Sequence, residues 1–394
     1  MGSSVFTSKR ICHVVCLFAS LLLSFEASSQ DNTKTCASES AIVTADFEAG
    51  GMKSCSVSGS NVFNVNIAPE TTDFSDRNGW FAFKVTNKVA TPITIYVNYL
   101  YGRYSIYPKI SYDGIDWSPI DRSWFTEISE NKIQLKVPPQ SKPYYIAPQQ
   151  ILASTEYNVW MYRKSLLDNV SRSIIGLSKL GRLVYKLESN SELNTGKYLF
   201  IIGRQHPTEV PGAIALMAFT DTLYSDTELA KEFRRQFGIV GVPNINPDGV
   251  ALGYWRSSTG LIDLNDDWGD FTQVETANIA RELRRFASGD QLELFIDFHS
   301  TDKDEMYTQP FGSSEWPSKF TNTWMTRLKE RLPDYDFRHW QLSDSYNGTA
   351  NYYVRSTYQA NTIIFEAGND DSTSNTVQEA SAFAEEIMRA MLNK

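Results

Sequence analysis

Residues 197–209, KYLFIIGRQHPTE, join a continuous apolar run to two side chains able to ligate a metal. The unbroken run from Tyr198 to Ile202 predicts a buried strand. Its end in a tight turn sets His206 at the carboxyl edge of the sheet. The apolar segment from Val210 then predicts a helix that carries Glu209 back beside the imidazole. A nitrogen and a carboxylate oxygen converge on one point, as a zinc ion requires. A chain with four His yields an H-x-x-E pair by chance often enough that this one counts only if a third ligand and a catalytic group follow.

Working outward, buried strands alternate with helical patterns. FGIVGV at 237–242 and LELFIDFH at 292–299 repeat the apolar run, as does ANTIIFEAG at 360–368. Helical spacing marks 162–174, 211–224, 272–287, 317–331 and a terminal segment from Thr376. NPDG at 246–249 reads as a turn. This alternation predicts an α/β fold, with a mixed, mostly parallel central sheet flanked by helices and the ligand site beyond the strands' carboxyl ends. Two more candidates stand at such ends. His299 closes LELFIDFH and Glu366 lies in IIFEAG. Alone, His299 reads as a satisfied core histidine and Glu366 as a solvated strand-end carboxylate. Together with His206 and Glu209, His299 completes the His₂Glu set of a catalytic zinc, one Zn²⁺ per chain, with an open position for water. Glu366 then fits the base such water needs.

Residues 40 to about 155 carry a different pattern. SVSGSNVFNVNIA, WFAFKVTN, ITIYVNYLY and KIQLKV alternate apolar and polar residues between Gly, Pro, Asn and Asp clusters. Period-two alternation is the signal of half-buried antiparallel strands, so an antiparallel β-sandwich domain is expected over 30–155, before a catalytic domain at 156–394. It holds no cluster of His, Cys and acidic residues and reads as scaffold or groove wall, a carbohydrate-binding module being the alternative. The net charge of −9 offers no basic footprint, which argues against a nucleic-acid partner.

Residues 1–29 read as an export signal: Lys9 and Arg10 precede an apolar stretch at 11–25 that Glu26 closes, and small residues follow. The stretch is shorter than the roughly 20 residues that span a bilayer, so no transmembrane anchor is expected in the mature chain, and the location is periplasmic or secreted. Cys12 and Cys16 leave with the signal. Cys36 and Cys55 remain, either as one disulfide in an oxidising compartment or as two free thiols.

HPTE at 206–209, NPDG at 246–249, W-R-x8-N ending at Asn265, DLN at 263–265, DFHS at 297–300 and FEAG at 365–368 follow one another as in the carboxypeptidase A-like zinc carboxypeptidases. The chain resembles that family, above all its cytosolic carboxypeptidase subgroup, which carries a β-sandwich before the catalytic domain. The resemblance implies that His206, Glu209 and His299 bind zinc and that Glu366 is the proton shuttle. It further implies that Arg256 stabilises the oxyanion, that Asn265 contacts the substrate's end and that Asp263 holds the far nitrogen of His206. On residue type alone, Arg256 and Asn265 are a surface loop and a turn former. Tyr346 and Tyr352 are the candidates for the family's substrate-capping tyrosine, and both also fit as packing aromatics.

One position departs from the family. After the asparagine the family usually carries an arginine that grips the substrate's terminal carboxylate. Here Asp266 stands there, followed by Asp267 and Trp268. An anion in that place repels a free carboxylate. The expectation is an exported zinc metallocarboxypeptidase acting on a peptide or cell-wall peptide, with an altered pocket. The alternatives are a zinc amidase or deacylase whose substrate lacks a terminal carboxylate, and a zinc-bearing binding protein without turnover.

Overall fold

A computed structural model describes residues 1–2, 34–73, 78–287, 291–309, 320–342 and 347–393. The expected signal segment, Met1 and Gly2 apart, and Tyr346 lie outside these.

Period-two sequences become two stacked sheets, as expected. Val62–Ile67 and Ile93–Tyr99 bury every second residue. Their apolar faces meet those of Ala41–Thr44, Phe83–Asn87 and Tyr144–Ala147 from the other sheet, around Phe63, Val97, Phe83 and Tyr144. One pair departs from the antiparallel expectation: Val62–Ile67 and Ile93–Tyr99 run parallel. Between them the chain crosses to the six-stranded sheet, lays down Phe83–Asn87, and returns. Two crossings restore the original direction, so the parallel pair needs no covering helix. Cys36, on Thr35–Ala37, and Cys55, on Ser54–Gly59, form a disulfide that links the two sheets. The free-thiol alternative therefore falls.

The second half builds an eight-stranded mixed sheet. Its order is Val170–Leu177, Leu183–Ser189, Gly238–Val242, Lys197–Gly203, Gln291–Thr301, Asn361–Gly368, Glu305–Thr308 and Arg338–Gln341. The strands ending in the candidate residues occupy the middle, and Lys197–Gly203 pairs in parallel with Gly238–Val242 and Gln291–Thr301. Antiparallel pairs lie outside this parallel centre.

Three expectations need correction. The helix over 162–174 is instead Ser154–Lys164, followed by the strand Val170–Leu177. Asn169, at φ 62, turns the chain between them, and the edge strand leaves Ile174 exposed, so its apolar residues mimic one helical face. NPDG is a helix start, not a simple turn: the Asn246 side chain caps the Gly249 N–H and Pro247 opens the helix Pro247–Leu252. The helix over 272–287 shortens to Val274–Leu283, with a 3₁₀ turn at Arg284–Ala287.

The apolar helix Val210–Leu223 sits where the two halves meet. Val210 and Ala213 pack with Trp80 and Tyr157 in one cluster, and Trp80 Nε1 donates to the Ala49 carbonyl at 2.8 Å. Gly212 lets the helix start touch the His299 strand. A Cβ there would meet the His299 carbonyl oxygen at 2.3 Å, and the bare N–H donates to Ser300 Oγ at 2.7 Å.

Candidate metal centre

The loop after Lys197–Gly203 is held in an uncommon shape. Arg204 has φ 60, the left-handed region that costs a non-glycine residue about 1–3 kcal/mol. Its buried guanidinium compensates by donating to the Pro207 carbonyl at 2.8 Å and to Tyr157 Oη at 3.1 Å. The loop thus turns His206 into the interior. His206 Nδ1 lies 2.7 Å from Glu209 Oε1, and His299 Nδ1 lies 2.9 Å from Glu209 Oε2. Ligand atoms of the three residues all fall within 4.8 Å of one another.

The outward nitrogens are fixed as well. His206 Nε2 is 2.8 Å from Asp263 Oδ1, the placement expected from the resemblance, and His299 Nε2 is 3.0 Å from Asp297 Oδ2. Carboxylates on the far nitrogens hold each ring in the tautomer that leaves Nδ1 able to ligate. Asp297 was not anticipated, although FIDFH places it two residues before His299 and so on the same strand face. Gln205 was missed too. It donates to Asp297 at 2.7 Å and Asn265 at 3.1 Å, and accepts from Trp268 Nε1 at 2.9 Å.

The electrostatics call for a cation. Burial disfavours a charged imidazole, yet Asp263 and Glu209 outweigh it and push His206 up to about 9. Asp297 and Glu209 likewise raise His299 against its burial. Glu209 is held well below the usual carboxylate range, since the two imidazoles overcome its desolvation. Protons gather on nitrogens where a dication would stand. Glu366 adjoins the cluster, with a buried Oε2 that has no hydrogen-bond partner among the described residues. Burial pushes its carboxyl up to about 7. Two imidazoles, one carboxylate and an orphaned carboxylate oxygen fit zinc and an adjacent water.

Residues 160–384 match the family model described as zinc carboxypeptidase, which spans more than half of the chain. The chain belongs to the zinc carboxypeptidase family. Residues 43–148 match the cytosolic carboxypeptidase N-terminal domain. An uncharacterised protein of Zymomonas mobilis is 22% identical over 78% of this chain and 81% of its own length. Mouse cytosolic carboxypeptidase 6 is 37% identical over 29% of this chain and 22% of its own length, so the matched part is about a fifth of that relative. In fold, the metallo-carboxypeptidase of Burkholderia cenocepacia superposes with a TM-score of 0.77 at 17% identity, covering 90% of this chain and 99% of that one. The Pseudomonas aeruginosa metallo-carboxypeptidase, solved with (2-guanidinoethylmercapto)succinic acid, gives 0.73 at 18%, covering 89% and 98%. The chain is thus a zinc metallopeptidase by family, and His206, Glu209 and His299 form a group that could hold the family's single zinc.

Around this zinc carboxypeptidase centre, Arg256 Nε donates to Asp263 Oδ2 at 2.5 Å. One carboxylate therefore holds both a candidate metal-ligating ring and the candidate oxyanion cation. Asn265 Oδ1 accepts from Gln205 and from the Ala350 N–H at 3.2 Å, which leaves its NH₂ to donate. Asp266 is exposed beside the site. Burial of its carboxyl and the nearby Asp263 raise it, opposed by Arg256 and His206.

The two acidic neighbours differ in direction. Asp267 turns inward and accepts from Thr272 N and Gln273 N at 2.9 and 3.0 Å and from Thr276 Oγ1. Trp268 is buried. Of the two acids in DDW, Asp266 is thus the one left exposed. Tyr352 lies half-buried in the helix Ala350–Tyr358 with the Arg355 guanidinium 5.7 Å from its ring centre. A cleft of about 190 Å³ opens over His206, Glu209 and Arg256, with Trp80, Tyr99 and Ile106 of the sandwich as its other wall.

Proposed function

We propose that this zinc carboxypeptidase is an exported hydrolase of peptide or amide bonds whose preferred substrate lacks a free carboxylate next to the scissile bond. His206, Glu209 and His299 would hold the ion, which when bound polarises the carbonyl and acidifies water. Glu366, with its unpartnered oxygen, takes a proton from the attacking water and returns it to the leaving nitrogen. Arg256, fixed at Nε by Asp263, offers its terminal N–H groups to the oxygen on which negative charge develops. Asn265 donates to the substrate's end.

The observation that carries the substrate reading is Asp266, an acid in the field of Asp263 and Arg256, at the position where the family resemblance implies a guanidinium. Arg256 is the leading cationic influence on it. A leaving part that ends in an amide, an amine or a basic side chain suits that corner, and a terminal carboxylate is repelled. Stem peptides of a cell wall supply such amide bonds outside the cytoplasm. Export is supported by the composition of residues 1–29 and by the Cys36–Cys55 disulfide, a bond of oxidising compartments. Among the described residues, no helix is long and apolar enough to cross a membrane.

Matched peptides with free and amidated C-termini test this reading. Faster zinc-dependent cleavage of the amidated form is expected, and clear preference for the free acid overturns it.

A further inference from the structure

The β-sandwich contributes a carboxylate to the catalytic half. Glu70 lies just beyond the strand Val62–Ile67, in a segment whose sequence gives no sign of chemistry. Its Oε1 accepts from the Arg256 N–H at 2.9 Å, the Ser257 N–H at 2.5 Å and Ser257 Oγ at 2.8 Å. Its Oε2 accepts from the Trp255 N–H at 2.7 Å. Three consecutive backbone N–H groups and a hydroxyl thus close on one side chain about 185 residues upstream in sequence. Bonds to an ionised acceptor are about twice as strong as neutral ones, and successive N–H groups make a natural anion cradle.

The residue at the centre of this cradle is Arg256. Its backbone is gripped by Glu70 and its Nε by Asp263. The preceding carbonyl, of Trp255, accepts from Thr208 Oγ1 at 2.9 Å, which ties the same segment to the HPTE loop. A second sandwich contact, from the Ala49 N–H to the Ala251 carbonyl at 2.9 Å, holds the helix leading into it. Gly253, at φ 67, fits only because it lacks a side chain, since a Cβ would meet the Gly50 carbonyl oxygen at 2.6 Å. Among the described residues, the segment from 247 to 257 thus meets the sandwich at Ala251, Gly253 and Trp255 to Ser257, and Glu70 supplies a charged contact centred on Arg256.

We infer that Glu70 is a positioning residue for Arg256, so that the sandwich completes the active site. The inference rests on Arg256 acting at the substrate carbonyl, as set out above. A cation that stabilises a developing oxyanion works only when it is already in place, and an arginine on an untethered loop loses that advantage. Loss of Glu70 then lowers kcat more than it changes KM, because ground-state binding uses other contacts. Gln is a partial substitute: its oxygen can take the Arg256 and Ser257 donors, but its NH₂ would face the Trp255 N–H, donor against donor.

The test uses the full zinc-loaded chain with Glu70→Ala, Glu70→Gln, Arg256→Ala and the Glu70→Ala/Arg256→Ala pair. Hydrogen exchange followed by mass spectrometry should show faster exchange in peptides covering 255–257 in Glu70→Ala, with the sandwich core unchanged and zinc content at one per chain. Unaltered exchange there overturns the inference whatever the kinetics. On the better cleaved of the two matched peptides, Glu70→Ala should lower kcat about 10- to 100-fold with KM within a few-fold, and Glu70→Gln should recover part of it. In the Arg256→Ala background the same change should cost little, because the group it positions is gone. An equal kcat loss in both backgrounds marks a merely structural role and overturns the inference. If Arg256→Ala alone leaves kcat at the wild-type level, the role of Arg256 at the carbonyl fails, and the positioning role fails with it.

Discussion

His299 and Glu366 stand opposite each other in register on adjacent parallel strands, Gln291–Thr301 and Asn361–Gly368. Sheet hydrogen bonding therefore fixes the distance from the candidate metal ligand to the proposed proton carrier, and no loop needs to order for the two to meet. Glu366→Gln keeps the size of the side chain and removes its basicity. We expect kcat to fall by about 10²–10⁴-fold with zinc still bound at one per chain, measured by metal analysis beside a peptide assay. Loss of zinc together with activity would move Glu366 into the metal's ligand set.

The carboxylates behind the two rings predict a graded loss of metal. Asp263 and Asp297 each hold an outward Nε2, and replacing such partners typically costs 10–100-fold in metal affinity. Asp263→Asn and Asp297→Asn should both weaken zinc binding by that order in competition with a chelating dye. Asp263→Asn should lose more activity at saturating zinc, because Asp263 also holds Arg256 Nε. Equal residual activity in the two variants would show that the Arg256 contact adds nothing to turnover.

How far these roles were legible follows from where each residue sits. His206, His299 and Glu366 each close an apolar run, so a period-free strand pattern pointed to the sheet's carboxyl edge. Asp263, Arg256 and Asn265 came only with the family resemblance, since a loop's sequence does not state its direction. Direction also separates Asp267 from the adjacent Asp266, since Asp267 turns inward to the Thr272 and Gln273 N–H groups just before the helix Val274–Leu283. Glu70 left no local signal, because its partners exist only once the sandwich docks. Residues 170–174 read as the end of a helix because the exposed Ile174 of the edge strand Val170–Leu177 breaks the alternation that marks a strand.

Away from the centre, Asp304, Asp371 and Glu379 bring three carboxyl groups together. Burial and the neighbouring Asp371 push Asp304 up to about 8, and burial, then Asp371, push Glu379 up to about 7. An unfolded carboxyl titrates near 4, so between about pH 4 and 8 the folded chain binds more protons than the unfolded one. The stabilisation from these groups is fully present below about pH 4 and is lost as pH rises through 7–8. Urea midpoints should therefore fall between pH 5.5 and 8.5, and Asp304→Asn should flatten that slope and raise the midpoint at pH 8.5. A midpoint that rises over this range in the wild type, with no effect of the variant, would contradict the assignment.

The sharpest prediction concerns Asp266→Arg. The change reverses a charge at an exposed position, so no cavity forms and the fold should tolerate it within about 0.5 kcal/mol. Its effect falls on the substrate's end. A guanidinium there can take a terminal carboxylate through two parallel hydrogen bonds, while the wild-type acid repels it. The ratio of kcat/KM for the free-acid peptide over its amide should rise at least about 10-fold, a change of about 1.4 kcal/mol. Binding of a non-cleavable free-acid peptide analogue should strengthen in parallel, because its carboxylate meets the same new cation. Such an analogue gives a reading independent of turnover: stronger inhibition in Asp266→Arg than in wild type places residue 266 at the terminal-carboxylate position. Identical inhibition and an unchanged substrate ratio would mean that the substrate's end lies elsewhere, and ordinary carboxypeptidase specificity would then be the better reading of this site.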